Sequence, residues 1–191
     1  MGFLTPSWKE IHLDVVKLAQ AITANGYTPE SVVGILRGGY LIARMLTDML
    51  NIEDIGVVEV KFYKGIGERA ERPIITQPLT TDVKGKNVLI VDDVADSGRT
   101  LEVVSEQVRL RGARSVKSAV LYYKPKSIIK PDFIIHVTED WVIFPWEWCE
   151  FLRSFNFLKK GLNLSEVKQE LHKMNVLIDD DILQEVLKLH K

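Results

Sequence analysis

Apolar and polar residues alternate along the chain in blocks that predict strands and helices in turn. Residues 41–51 and 99–111 carry apolar side chains at helical spacing, and the second stretch is ended by Gly112. Short apolar runs rich in β-branched residues predict buried strands at SVVGIL (31–36), IGVVEVKFY (55–63), NVLIVDD (87–93), VKSAVLYY (116–123) and DFIIHV (132–137). Because these strands alternate with helices, we predict an α/β fold in which helices flank a central, mostly parallel β-sheet on both faces.

The N-terminal segment predicts a helix with recognisable ends. Ser7 suits the N-cap position, Glu10 follows three residues later, and Gly26 can end the helix. The apolar residues between them fall on one helical face: Ile11, Val15, Leu18, Ala19 and Ile22. Residues 64–86 have no clear period, and we predict a long mobile loop there, in which PIITQPL could form a hairpin.

The chain changes character after the segment FPWEW. Three helices are predicted there: residues 148–160, residues 165–174 with Ser165 as the cap, and residues 179–189 with Asp179 or Asp180 as the cap. We therefore predict a main domain of residues 1–160 and a C-terminal helical extension of residues 161–191. The extension is expected to pack on the core or on a partner subunit.

Composition narrows the classes of protein to which the chain can belong. Apolar residues make up 46% and charged residues 27% of the 191 residues, which is typical of a globular protein. A net charge of −1 predicts neither general nucleic-acid binding nor a polybasic membrane surface. The single cysteine, Cys149, excludes an intrachain disulfide, and the four histidines lack zinc-ligand spacing. With no apolar run of 18 residues and no signal peptide, we expect a cytoplasmic protein.

The segment VLIVDDVADSGRTL (88–101) contains two adjacent carboxylates at the end of a predicted buried strand. In open parallel sheets, ligands bind at the carboxyl ends of the strands. Burying Asp92 and Asp93 is costly unless a positive charge or hydrogen-bond donors face them. A divalent cation or the hydroxyls of a sugar would meet that need, although an ordinary solvated turn would also explain the two aspartates taken alone.

The residues that follow lead into a helix and predict an anion site. Backbone N–H groups at a helix N-terminus, with the hydroxyls of Ser97 and Thr100 beside them, can bind a phosphate, and Gly98 permits close approach. A phosphorylated ribose would fill both the carboxylate site and the anion site. No G-x-x-x-x-G-K-[ST] sequence occurs, and the G-x-G at Gly65–Gly67 lacks the third glycine of a dinucleotide motif.

The whole string VLIVDDVADSGRTL closely resembles the phosphoribosyl-diphosphate (PRPP) binding signature of type I phosphoribosyltransferases. Further features of that family occur in its order over about residues 8–150. LRGG (36–39) resembles the pyrophosphate loop, which often holds a non-proline cis peptide, here Leu36–Arg37. FYKGIGERAER (62–72) resembles the mobile catalytic loop of the 6-oxopurine branch, although Phe62 stands where that branch usually has serine. YYKP (122–125) and EDWVIFPWEW (139–148) resemble base-binding segments of the xanthine–guanine-type and archaeal-type enzymes.

The resemblance implies roles for individual residues. Those implied in binding PRPP and its phosphates are Arg37, Gly38, Gly39, Asp92, Asp93, Ser97, Gly98, Arg99 and Thr100. The catalytic residues would be Asp96, which would manage the proton on the purine N7, with Tyr63 and Arg69 in a loop that closes as a lid. Lys124 would donate to the exocyclic oxygen of the base, Trp141 would stack on its ring, and the backbone of Val142 would read its edge. Mg²⁺ would be held through water or substrate by Asp92, Asp93 and Glu147, whereas Trp146 and Trp148 are expected in the core or at an interface.

The fold that the resemblance implies is the type I phosphoribosyltransferase fold, with a small hood. The activity is Mg²⁺-dependent transfer of the 5-phosphoribosyl group from PRPP to a 6-oxopurine (hypoxanthine, guanine or xanthine), which yields a nucleoside monophosphate and pyrophosphate in purine salvage. The expected assembly is a homodimer or a higher homo-oligomer, without nucleic-acid or membrane partners.

Two alternative functions remain open from the sequence. The same scaffold could use adenine, because a lysine at position 124 can turn away from the base. A non-catalytic sensor of PRPP or nucleotides is also conceivable, but such regulators usually add a basic DNA-binding element. The segment from Ser165 to Lys191 holds more acidic than basic residues, which disfavours that reading.

Overall fold

The computed structural model describes residues 2–63, 72–158 and 162–189. The chain folds into two compact units: His12–Thr138 form the larger unit, and Met1–Ile11 with Glu139–Lys191 form the smaller one. None of the described helices is long and apolar enough to cross a membrane.

The larger unit is built on a six-stranded sheet with the strand order β4-β3-β2-β5-β6-β7. The strands are β2 (Ser31–Leu36), β3 (Ile55–Tyr63), β4 (Arg72–Gln77), β5 (Asn87–Ala95), β6 (Ser115–Tyr123) and β7 (Phe133–Val137). All neighbouring pairs are parallel except β3–β4, which is antiparallel. The central strands are almost continuously apolar because both of their faces are covered, so the predicted mostly parallel α/β sheet is confirmed.

Three helices alternate with these strands along the chain. They are α1 (Trp8–Ala24), α2 (Gly38–Met49) and α3 (Arg99–Leu110). The predicted start of α1 is confirmed, because the Ser7 hydroxyl accepts from the Glu10 N–H and the Glu10 carboxylate accepts from the Ser7 N–H. Its predicted end is confirmed by Gly26, whose φ is +73°. The apolar faces of α3 and the sheet form one core, which includes Val33, Ile90, Leu101, Val104 and Val120.

The smaller unit joins the N-terminus to the C-terminal third of the chain. Its elements are β1 (Phe3–Leu4), β8 (Trp141–Val142), α4 (Trp148–Ser154), α5 (Leu164–Lys173) and α6 (Asp180–Lys188). β1 and β8 pair in parallel, with Phe3 opposite Trp141. Ile143, Trp148, Leu152, Val167, Leu171 and Leu183 share one core, so residues of α5 and α6 pack against the segment that precedes them. The domain boundary at residue 160 stays a prediction.

Several predicted element ends are wrong, each for a local reason. The strand predicted for residues 87–93 continues to Ala95, because β6 keeps pairing with it as far as Tyr123. In the loop predicted for residues 64–86, residues 72–77 form an edge strand antiparallel to β3, which agrees with the hairpin expected around PIITQPL, and residues 64–71 lie outside the described residues. The helix predicted for 148–160 ends at Ser154, and Asn156 then turns the chain with a φ of +59°.

Capping at the C-terminal helices is partly as predicted. α5 is capped by Asn163 rather than by the predicted Ser165. The Asn163 side chain accepts from the Glu166 N–H, and the Glu166 carboxylate accepts from the Asn163 N–H. α6 is capped by Asp179, one of the two predicted alternatives.

Candidate functional site

The first part of the site is the junction between β2 and α2. The peptide bond Leu36–Arg37 is cis, as the resemblance to the pyrophosphate loop implies. α2 begins at once with Gly38, and within the described residues no side chain caps its N-terminus. The first N–H groups of α2 therefore lack a side-chain acceptor at the helix end, which is the usual arrangement for binding an anion.

The N-terminus of α2 lies directly against the end of β5. A Cβ atom built on Gly39 would lie 2.5 Å from the Val91 carbonyl oxygen and 2.9 Å from Asp92 Oδ1. No side chain fits in that space, so glycine is needed there for close backbone approach. The structure thus brings the predicted pyrophosphate loop (36–39) next to the predicted ribose-binding carboxylates.

Asp92 and Asp93 are adjacent carboxylates near the end of β5. Asp92 Oδ1 accepts from the Asp93 N–H at 3.0 Å, and Asp93 Oδ1 accepts from the Val94 N–H at 2.8 Å. Burial raises the pKa of Asp93 from its ordinary value of 3.8 to about 6, although hydrogen bonds from Val94 N–H and from Asp92 oppose the rise. A cation or a hydroxyl donor beside this pair would offset the cost of ionising it.

The second anion site lies at the start of α3. Gly98 is the N-cap residue, with a φ of +78°, and among the described residues no side chain caps this helix. The Arg99 N–H points to the Ser97 hydroxyl at 3.4 Å. A cavity of about 180 Å³ opens beside this loop; it is lined by Phe62, Asp92, Val94, Ala95, Asp96, Ser97, Gly98, Thr100 and Leu101. Asp92 of the carboxylate pair and the predicted phosphate loop therefore line one cavity.

A turn that follows β6 packs against this loop. The Lys124 N–H donates to the Ala95 carbonyl at 3.0 Å, and the Ile128 N–H donates to the Ser97 carbonyl at 3.0 Å. A Cβ on Gly98 would lie 2.3 Å from Ser127 Oγ, which shows how closely the two segments approach. The residue between the two acceptor carbonyls is Asp96, so the turn holds it from both sides.

Asp96 forms ion pairs with two lysines of that turn. Its Oδ1 lies 3.4 Å from Lys124 Nζ and 2.8 Å from Lys126 Nζ. Partial burial raises the pKa of Asp96, but the nearby ammonium groups of Lys126 and Lys124 outweigh it and hold this pKa below its usual value. Lys124 is 5% exposed, which places an ammonium in a buried position beside a carboxylate.

Two of the predicted residues of the smaller unit, Trp141 and Glu147, line a second cavity. Trp141 is 47% exposed, and it lines a cavity of about 500 Å³ with Phe3, Ile143, Glu147, Glu150, Phe151, Ser154 and Phe155. Val142 is buried. Glu147 is the N-cap residue of α4, and Trp148 is buried in the core as expected, while Trp146 stacks on Phe144 at 4.7 Å between ring centroids. The base-binding roles of Trp141 and Val142 and the metal role of Glu147 stay predictions.

Most of the other predicted residues come together in the larger unit. The loop 36–39, Asp92, Asp93, Asp96 and the segment 97–100 lie at the same end of the sheet, with Lys124 beside Asp96. Tyr63 is the last residue of β3 and is half exposed. Arg69 lies outside the described residues. Lys126 was missed by the sequence reasoning; a second lysine two positions after Lys124 was the available signal.

Comparison with known proteins agrees with this geometry. The family model for the phosphoribosyl transferase domain matches residues 7–150. A xanthine-guanine phosphoribosyltransferase of Ruegeria sp. (strain TM1040) is 34% identical over 154 residues, which cover 74% of this chain and 83% of that protein. The corresponding enzyme of Cereibacter sphaeroides (strain ATCC 17025 / ATH 2.4.3) is 34% identical over 148 residues, with 74% and 84% covered.

A solved structure gives the same picture in three dimensions. The crystal structure of purine phosphoribosyltransferase from Pyrococcus horikoshii Ot3 is 39% identical, with a TM-score of 0.69 over 76% of this chain and 94% of that chain. One conclusion follows from the described fold, the PRPP-type signature at the end of β5 and the match over residues 7–150. This chain belongs to the phosphoribosyl transferase domain family and has the type I phosphoribosyltransferase fold.

Proposed function

We propose that this protein is a Mg²⁺-dependent purine phosphoribosyltransferase that uses a 6-oxopurine. It transfers the 5-phosphoribosyl group of PRPP to a ring nitrogen of the base, and releases pyrophosphate and a nucleoside monophosphate. The relatives named xanthine-guanine phosphoribosyltransferase and the structure named purine phosphoribosyltransferase support the class of base. The proposed place of the reaction is purine salvage in the cytoplasm, and the proposed assembly is a homo-oligomer.

The observation that carries the choice of base is the Asp96–Lys124 pair. A 6-oxopurine presents an oxygen at C6 next to N7, which carries a proton in one tautomer of the free base, whereas adenine presents an amine at C6. Lys124 only donates hydrogen bonds and the ionised Asp96 only accepts them, and their charged atoms are 3.4 Å apart. One donor and one acceptor side by side match the oxygen and the N7–H of a 6-oxopurine. The amine of adenine would face the donor instead.

The ribose and phosphate groups of PRPP match the rest of the site. The uncapped start of α2 is suited to the diphosphate, and the loop at residues 97–100 to the 5′-phosphate. The carboxylates of Asp92 and Asp93 can accept hydrogen bonds from the ribose hydroxyls. As pyrophosphate leaves with the bonding electrons, the ribose carbon becomes oxocarbenium-like, and carboxylates bound to the ribose hydroxyls would stabilise the positive charge that develops there.

Mg²⁺ fits this site as an ion shared with the substrate. Among the described residues, no group of three or more acidic, histidine or cysteine side chains could hold a metal alone. Asp92 and Asp93 together with the oxygens of a diphosphate give the oxygen-rich ligand set that Mg²⁺ prefers. When bound, Mg²⁺ would supply positive charge that stabilises the leaving pyrophosphate.

A base panel tests this function directly. Adenine, hypoxanthine, guanine and xanthine are each incubated with PRPP and MgCl₂, and nucleotide formation is followed by chromatography. We expect at least one 6-oxopurine to be converted faster than adenine, and the reaction to stop when EDTA removes the metal. Dominant AMP formation would contradict the 6-oxopurine assignment, and no nucleotide from any base would contradict the proposed function.

A further inference from the structure

Lys126 has no role in the function argued so far, yet it makes the shorter of the two ion pairs at Asp96. Its Nζ lies 2.8 Å from Asp96 Oδ1, whereas Lys124 Nζ lies 3.4 Å from the same oxygen. The Lys126 side chain is 67% exposed, and exposed ion pairs contribute little to stability. A contribution to folding is therefore a weak explanation for this contact.

The turn that carries Lys126 is fixed with respect to Asp96. Backbone hydrogen bonds from the turn reach the carbonyls on both sides of Asp96, those of Ala95 and Ser97. Within the turn, the Ser127 N–H donates to the Lys124 carbonyl, and Ser127 Oγ donates to the Ile129 carbonyl at 2.8 Å. These contacts hold the backbone of Lys126 close to Asp96, so its long side chain loses less freedom in forming the pair than that of a lysine on a free loop.

The two lysines also distinguish the two oxygens of Asp96. Oδ1 is shielded from solvent and lies within ion-pair distance of both ammonium groups, although neither contact has the direction of a hydrogen bond. The Asp96 side chain as a whole is 42% exposed, so its exposure lies on the other atoms, and both ion pairs that the described residues form with Asp96 use Oδ1. The carboxylate is thus held with one oxygen inward and the other accessible.

We infer that Lys126 is a positioning residue for purine phosphoribosyl transfer: it holds Asp96 Oδ1, so that Oδ2 faces the N7–H of the incoming base. This inference rests on the proposed function. Once Lys124 donates to the oxygen at C6, Lys126 remains as the counter-ion of Asp96. Lys124 and Lys126 are the two charged groups that the structure shows against this carboxylate, and both lie on the same turn.

The first test needs no enzymatic activity. The ¹³C carboxyl signal of Asp96, assigned by its loss in Asp96→Asn, is titrated by NMR in the unliganded protein and in three variants. In Lys126→Met we expect the titration to move upward by about half to one pH unit, because one of two nearby positive charges is gone. Lys126→Arg should restore the position, and Lys130→Met, the same change at an exposed lysine of the same segment, should leave it unmoved. A Lys126→Met titration that overlies that of the unmodified protein would overturn the inference.

The second test separates the inference from the proposed function. With hypoxanthine and PRPP, Lys126→Met should lower kcat/KM for the base by about threefold to tenfold. This size lies between the usual effect of losing an exposed ion pair and that of losing a buried charged hydrogen bond. KM for PRPP should be unchanged, and the loss should vanish in the Asp96→Asn background, because Lys126 acts through Asp96. An equal loss in that background would overturn the positioning role. If the NMR shift appears but the unmodified protein makes no nucleotide, the ion pair stands and the proposed function fails.

Discussion

Asp93 gives the sharpest prediction, because its ionised side chain should lower the stability of the free protein and raise the affinity for PRPP and Mg²⁺. Its pKa rises from 3.8 to about 6 in the folded protein, chiefly through burial. A rise of about 2 pH units corresponds to roughly 3 kcal/mol, at about 1.4 kcal/mol per unit. This is the expected upper size of the cost of ionising Asp93 in the unliganded fold.

The sign of the pH dependence follows from proton binding. Between about pH 4 and pH 6, the folded state binds more protons at Asp93 than the unfolded state does, so the free energy of unfolding falls as pH rises through this range. Asp93→Asn cannot ionise, and its amide oxygen can still accept from the Val94 N–H. The variant should therefore be more stable than the unmodified protein above pH 6, by up to about 3 kcal/mol, with the difference vanishing near pH 4.

Urea denaturation from pH 4 to pH 8 in metal-free buffer measures this difference. Asp82→Asn is the matched control, since Asp82 is exposed and accepts only a local hydrogen bond from the Lys84 N–H. Calorimetry should show that the more stable variant binds its ligands less tightly. The affinity of Asp93→Asn for PRPP and Mg²⁺ should be lower than that of the unmodified protein by at least about tenfold. An Asp93→Asn protein that is no more stable at pH 8, or that binds PRPP as tightly as before, would refute the reasoning.

Three further substitutions test separate parts of the structure. Gly39→Ala puts a Cβ 2.5 Å from a carbonyl oxygen, so urea denaturation should show a loss of about 1–3 kcal/mol and calorimetry a loss of PRPP binding; an unchanged midpoint would contradict the close approach. Lys124→Met should reduce the preference for hypoxanthine over adenine by about tenfold in a competition for limiting PRPP, and an unchanged product ratio would remove Lys124 from base recognition. Asn163→Ala removes the cap of α5 and should cost about 1 kcal/mol with the same kcat, whereas altered kinetics would connect this helix to the reaction.

The sequence predicted the central strands well because their signal is local and strong. β2 and β5 are apolar over most of their length, and few other structures suit such runs between turn residues. β1 has two residues and β4 is an exposed edge strand that contains a proline, so neither had a clear period. The cap of α5 could have been found, because Asn163 stands three residues before Glu166, the spacing of a capping box.

The site, like the fold, has one part that neighbouring residues in the sequence predict and another part that depends on contacts between distant segments. The carboxylate pair and the anion loop are adjacent in the sequence, so one segment of 14 residues was enough to predict them. The contact of Gly39 with the end of β5 depends on parallel pairing of β2 with β5. The ion pair of Lys126 with Asp96 depends on a turn that folds back after β6. The Gly39 contact has no sequence signal, and the second lysine after Lys124 indicates a charge near the site but not its partner, because each contact joins segments that the sheet brings together.

The two parts of the site favour groups of opposite character, and that combination restricts the ligands that suit it. Among the described helices, α1, α5 and α6 are capped by side chains at their N-termini, whereas α2 and α3, which start at the site, are not, and neither is the short α4. The starts of α2 and α3 therefore favour anions, while the carboxylates at the end of β5 favour a cation or hydroxyl donors. A simple phosphate suits the helix ends but not the carboxylates, and a free metal ion suits the carboxylates but not the helix ends. A ribose that carries a phosphate at one end and a Mg²⁺-bound diphosphate at the other satisfies both, which is why the geometry favours PRPP over either component alone.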